Sequence, residues 1–172
     1  MKSLITLLLA IVIYLPSFAQ DSIGNFRRAG DGIVWDCTFV DSLKSSSDIR
    51  QYFLLSDYLQ DIREVNGIIV ANVVKWKPNY KAAGYSYLNI PLYISRGGGF
   101  TGTIKVYPAE NSYRVVFSNI VINANPSDQL FKTESQFNDL AYNFKKDKFR
   151  SAFSAGASIL DEFFKSKFMI PN

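Results

Sequence analysis

Two runs of strict alternation, Phe100 to Tyr107 and Ser112 to Asn119, constrain this chain more than any other feature. In the first, Phe100, Gly102, Ile104 and Val106 take one side and Thr101, Thr103, Lys105 and Tyr107 the other, and Pro108-Ala109-Glu110-Asn111 supplies turn chemistry between the arms. A period of two in both arms predicts an antiparallel hairpin with one face on a core and one face wet. With Tyr107 opposite Ser112, Val106 meets Tyr113, Ile104 meets Val115, and the small Gly102 leaves room for the Phe117 ring. A one-residue slip would bring Arg114 inside. The same register sets Lys105 directly opposite Arg114 on the outer face, an unfavourable pairing unless something offsets it. Glu110 or Glu64 is one candidate for the offset, and an anionic ligand or partner is the other. Loss of alternation beyond Asn119 predicts a bulge or sheet end near Ser118.

The flanking segments read in the same way. Ile33 to Val40 alternates, with Ile33, Trp35, Cys37 and Phe39 on the apolar side, and predicts a strand. Ser45, Ser46, Ser47 and Asp48 offer N-cap side chains for a helix whose apolar stripe runs through Ile49, Tyr52, Phe53, Leu55, Leu59 and Ile62. Asn66-Gly67 turns the chain into a strand over Ile68 to Trp76, and Tyr85 to Ile94 predicts another, with Pro91 at a bulge or on a sheet edge. Gly97 to Gly99 reads as a flexible connection. Phe137, Leu140, Ala141 and Phe144 mark a short amphipathic helix. A longer one carries Phe149, Phe153, Gly156, Leu160, Phe163 and Phe164 inward and Lys148, Arg150, Asp161, Glu162 and Lys165 mostly outward. Strand, helix, several antiparallel strands and a helical C-terminal extension predict an α+β fold of two layers, with helices on one face of a curved sheet.

The N-terminus predicts where the protein works. Lys2, an apolar run from Leu4 to Leu15 and the small residues Ser17 and Ala19 form a secretory signal peptide over residues 1–19, with cleavage before Gln20. The apolar run is shorter than the roughly 20 residues that span a bilayer. Cleavage leaves 153 of the 172 residues as one domain, residues 20–172, with 18 basic side chains against 15 acidic ones. That excess is too small to argue for nucleic acid. The expected product is periplasmic or secreted, without a membrane span. It is also not lipid-anchored, because Cys37 lies too far beyond the cut to serve as an attachment site.

Histidine is absent and Cys37 is the only cysteine, which excludes an imidazole base, a His-ligated metal and an internal disulfide. No cofactor or metal is expected. Cys37, between Trp35 and Phe39 on an apolar side, reads as a small buried hydrophobe.

These segments resemble a family of exported bacterial domains of unknown function described as having a TBP-like fold. The resemblance rests on Ile33 to Val40 as the opening strand, the Ser-capped helix after it, the Phe100 to Val106 strand, and the Tyr113 to Ile120 strand with its Tyr-Arg-x-x-Phe-x-Asn-Ile pattern. It covers Gly32 to Ile122. It implies a curved sheet with helices on the convex side and no DNA binding, and it implies no activity. The chain departs from the family at Pro108 to Asn111, where an Asp-Gly type of turn is usual, and in the Gly97 to Gly99 run.

Three other groupings carry possible chemistry. Trp76, Tyr85, Tyr87 and Tyr93, near Lys75, Lys77 and Lys81, suit stacking on sugar rings or insertion into a partner's pocket, and suit core packing equally by type. Asp57 and Asp61, one turn apart on the expected helix, are the acid pair a histidine-independent hydrolase of envelope or extracellular glycans would need. Lys145, Lys146, Lys148 and Arg150 form the densest cationic stretch, read as a solvated helix start or as an attraction to an anionic envelope surface. Together these observations lead to an exported binding or assembly module. Its partner is an envelope protein or glycan, met on an open sheet face through Lys105, Tyr107, Arg114, Trp76, Tyr85, Tyr87 and Tyr93, and the glycan hydrolase is the alternative. Self-association through a hydrophobic edge at the Pro91 strand is a third possibility.

Overall fold

In a computed structural model that describes residues 22–171, one antiparallel sheet carries the chain. The expected signal peptide lies outside the described residues. The strands are β1 (Ser22–Ile23), β2 (Phe26–Ala29), β3 (Gly32–Val40), β4 (Leu59–Val65), β5 (Ile68–Trp76), β6 (Phe100–Ala109), β7 (Ser112–Ile122) and β8 (Ser135–Gln136). Their order is β1-β2-β3-β7-β6-β5-β4, with β8 paired to β7. After β3 the chain passes through helix α1 (Ser46–Leu54) to the far edge and returns by hairpins to lay β7 beside β3. Helices α2 (Leu92–Ser95), α3 (Phe137–Ala141), α4 (Ser151–Ser154) and α5 (Ala157–Phe168) and a small hairpin, β9 (Tyr142–Asn143) with β10 (Lys148–Phe149), complete the described chain.

The apolar sides of β3, β5, β6 and β7 face one way and form the core with the helices. Phe164 of α5 sits at its centre, with ring centroids 5.2 Å from Phe117, 5.5 Å from Phe100, 5.7 Å from both Trp35 and Trp76, and 5.9 Å from Phe26. Edge-to-face contacts of this kind add to the free energy of burying the rings. Helix α1 begins as the serines predict, on a capping box. The Asp48 amide donates to Ser45 Oγ at 3.2 Å, and the Ser45 amide donates to Asp48 Oδ2 at 3.0 Å.

Several elements differ from expectation, each for a physical reason. Helix α1 stops at Leu54, and Leu59 to Val65 pairs with β5 instead of extending the helix. An irregularity between Gln60 and Arg63, with Asp61 at φ 51°, hides the strand's alternation in the sequence. Tyr85 to Ile94 forms no strand. Asn89 Oδ1 accepts from the Ser86 amide at 2.7 Å to close a turn, and Pro91 stands at the start of α2, where its missing N–H is not needed. The Pro91 edge expected to support self-association therefore does not exist; β1 and β4 end the strand order, and the short β8 lies beside the end of β7.

The Gly97–Gly99 connection is tightly packed. A Cβ on Gly97 would lie 2.6 Å from the Tyr93 carbonyl oxygen, and one on Gly98 would collide with the Ala124 carbonyl. The long C-terminal helix is three pieces, β10, α4 and α5, broken at Gly156, where a Cβ would strike the Pro91 ring. Asp161, expected outside, is buried. It accepts from Trp35 Nε1 at 2.6 Å and from Asn25 Nδ2 at 2.8 Å, and Lys165 Nζ lies 2.9 Å away.

The β6–β7 hairpin keeps its faces but not its register. Ala109 pairs with Ser112, Val106 with Val115 and Ile104 with Phe117, so the loop is only Glu110 and Asn111, with Asn111 at φ 58°, and Pro108 lies within the strand. The shift is two residues from the expected pairing, which preserves every inward and outward side chain. The bulge expected near Ser118 is present, with Asn119 at φ 52°.

Candidate functional site

The two-residue shift rebuilds the outer face around Arg114. Lys105 pairs with Val116 on one side and Val70 on the other, and Arg114 pairs with Tyr107, so the two cations do not oppose each other. Arg114 Cζ lies 5.6 Å from the Tyr107 ring centroid, a cation–π contact across the ladder. On its other side Arg114 donates through Nε to Asp36 Oδ1 at 2.7 Å and through Nη2 to Asp36 Oδ2 at 2.6 Å. Asp36 also accepts from Arg27, at 2.7 Å from Nε and 2.5 Å from Nη2.

Four strands thus carry one line of side chains: Arg27 on β2, Asp36 on β3, Arg114 on β7 and Tyr107 on β6. The Asp36 side chain is only 10% exposed. Its hydrogen bonds from Arg114, joined by those from Arg27, hold its carboxyl below the usual carboxylate range against the opposing effect of burial. The same bond keeps the Arg114 guanidinium protonated beyond its ordinary range. With no Lys105–Arg114 pair to offset, Asp36 instead balances Arg27 and Arg114, and Glu64 faces Arg50 at 3.8 Å.

A second polar ladder crosses the same face. Thr103 Oγ1 donates to Asn72 Oδ1 at 3.2 Å, and Asn72 Nδ2 donates to Asp61 Oδ2 at 3.0 Å. Lys105 stands between the two ladders, exposed, with no carboxylate within ion-pair distance among the described residues. The arrangement offers fixed donors and acceptors, a ring and one unpaired cation.

The aromatic group does not gather on this face. Tyr93 is 6% exposed and packs against Phe153, Trp76 packs on Phe100 and Phe164, and Tyr85 on Phe163; only Tyr87, 49% exposed, is open. Burial pushes the Tyr93 hydroxyl well above its ordinary range. These rings are close in sequence, and the turns at Asn79 to Asn89 scatter them in space. Asp57 and Asp61 share no helical side either, since Asp61 lies in the irregular stretch of β4 and is bonded to Asn72. Among the described residues no group of three acidic or cysteine side chains is placed to hold a metal ion. Cys37 is buried, and desolvation raises its thiol above the ordinary range.

A concavity of about 840 Å³ lies away from the polar face, between α1, the 41–45 loop and Ile170. Leu43, Tyr52, Leu55 and Tyr58 line much of it, with Lys44 and two carboxylates, Asp48, which is committed to the cap of α1, and Asp57.

The architecture defines a TBP-like α+β fold: a large antiparallel sheet with helices packed against it. A solved TBP-like protein from Parabacteroides distasonis is similar to this chain at a TM-score of 0.50 and 12% identity, over 82% of this chain and 92% of that one. A solved DUF4468 family protein from Bacteroides ovatus is also 12% identical, with a TM-score of 0.46, over 88% of this chain and 95% of that one. No model of a protein family matches the sequence, and no curated protein does. The likeness is one of fold and carries no activity. No described helix is long and apolar enough to cross a membrane.

Proposed function

We propose that this chain is an exported binding or assembly module that takes an envelope protein or glycan on the outer face of its sheet. The observation that carries the reading is the Arg27–Asp36–Arg114–Tyr107 line, built on the side of the sheet that the described helices leave open. Side chains already held in one geometry lose little entropy when a partner arrives, so such a face binds more tightly than its area alone would allow. Tyr107 offers a ring for stacking, Lys105 an uncommitted charge, and the Asp61–Asn72–Thr103 ladder donors and acceptors for hydroxyls or a partner's backbone. Export rests on the signal-peptide pattern of residues 1–19.

The test is retention of envelope components by the immobilised protein, compared with a Lys105→Glu/Tyr107→Ala variant. Arg114 is left in place because Asp36 depends on it. The reading expects a partner held by the wild type and released by the variant at equal stability. Identical retention by both proteins, or retention by neither, overturns it.

A further inference from the structure

Of the cationic stretch expected at a helix start, Arg150 stands at the N-cap of α4, while Lys145, Lys146 and Lys148 lie on the tip and return arm of the β9–β10 hairpin, in which Lys148 pairs with Asn143 and Phe149 with Tyr142. The tip is closed by the Lys146 amide, which donates to the Asn143 carbonyl and to Asn143 Oδ1, both at 3.1 Å. Between this hairpin and α4 lies a concavity of about 630 Å³, lined by Lys146, Lys148 and Arg150 with Asn143, Ser151 and Ser154. Among the described residues no carboxylate lines it. The hairpin's own acid, Asp147, is turned away, bonded to the Arg28 guanidinium and accepting from the Tyr142 hydroxyl at 3.0 Å.

Arg150, exposed to solvent, is tethered to this wall by one bond. Its Nε donates to the Tyr142 carbonyl at 3.2 Å, which leaves both terminal nitrogens without a partner among the described residues. Three like charges around one concave surface reinforce each other's potential, and a recess focuses that potential more than a flat surface does. A held guanidinium presents two parallel N–H groups at the spacing of two phosphate oxygens. A lone carboxylate would be satisfied by Arg150 alone, whereas a phosphomonoester carries close to two negative charges and can use the lysines as well.

We infer that this cleft is a binding site for a phosphomonoester group, separate from the outer sheet face. The group can come from a soluble phosphoester or from the headgroup of an anionic lipid. The test is titration of the isotope-labelled protein with glycerol phosphate, read at the backbone amides, alongside flotation with phosphatidylcholine vesicles with and without phosphatidic acid. The inference expects saturable shifts confined to residues 142–154 or flotation that requires phosphatidic acid, and which of the two occurs identifies the source. Lys146→Gln/Lys148→Gln, at exposed positions without described side-chain bonds, should weaken the response about tenfold, in keeping with exposed charge pairs. Arg150→Lys, which keeps the charge and loses the fork, should weaken it as well. Lys77→Gln/Lys81→Gln, at another lysine cluster, should leave it unchanged. The inference is overturned by absence of both responses, by shifts spread over every lysine surface, or by an unchanged response in the Lys146/Lys148 variant.

Discussion

Arg114 grips Asp36 with two parallel hydrogen bonds, across 78 positions of sequence, on the wet side of the sheet. The pair joins β3 to β7, the two strands that meet only after the chain has crossed to the far edge and returned. Because the carboxyl's native pKa is lowered, Asp36 stabilises the fold above the unfolded-state value near 4 and loses that contribution as pH falls through the native value. Asp36→Asn should cost about 1–2 kcal/mol at neutral pH. Urea midpoints measured from pH 7 to pH 2 should fall more steeply for the wild type than for the variant.

Tyr113 makes the corresponding prediction on the alkaline side. Its hydroxyl donates to the Phe168 carbonyl at 3.2 Å and accepts from the Ile170 amide at 2.9 Å, tying the end of α5 to β7. Desolvation pushes its pKa up to about 12. A raised native value means that the unfolded chain releases the proton first, so stability is intact below about pH 10 and declines as pH rises toward the native value. Tyr113→Phe should be about 1 kcal/mol less stable at neutral pH and show a shallower alkaline loss, by chemical denaturation at both pH values.

Phe164 should be the most costly single truncation. Its ring touches aromatic side chains from β2, β3, β5, β6 and β7, so removal leaves a cavity whose walls belong to the sheet and cannot collapse together. Phe164→Ala should lose about 3–5 kcal/mol in equilibrium unfolding.

Gly102 tests the hairpin register. A Cβ there would lie 2.7 Å from both Phe117 Cε2 and the Ser118 carbonyl oxygen, beside the bulge. Gly102→Ala should destabilise by about 1–3 kcal/mol, where an ordinary strand position would gain from the same change. A paired Phe117→Leu should recover part of the loss.

The elements read correctly from sequence are those whose signal is local. Strand β3 and the β6–β7 pair show alternation, α1 shows its cap, and β5 shows β-branched residues ended by Trp76. The features that differ from the sequence expectation depend on partners distant in sequence. Pro108 has the chemistry of a turn, yet strand pairing extends past it, and this moved Arg114 from Lys105 to Tyr107. Leu59 to Val65 looks helical because the irregularity at Asp61 interrupts its period of two. Asp161 reads as solvent-facing on any amphipathic wheel, since neither Trp35 nor Asn25 is near it in sequence. Within the candidate site Lys105, Tyr107 and Arg114 were legible, and Asp36 was not singled out. The signal that points to it is parity: Asp36 falls on the polar side of β3, the side that Arg114 takes on β7.

On the proposed function, the face bearing Lys105 and Tyr107 is open in the free protein and covered when a partner binds. Side-chain labelling of the purified protein, read by mass spectrometry with and without envelope extract, measures this directly. Lys105 and Tyr107 should be readily modified in the free protein and both protected when extract is added. Resistance to labelling in the free protein, or equal labelling in both conditions, would contradict the proposed function.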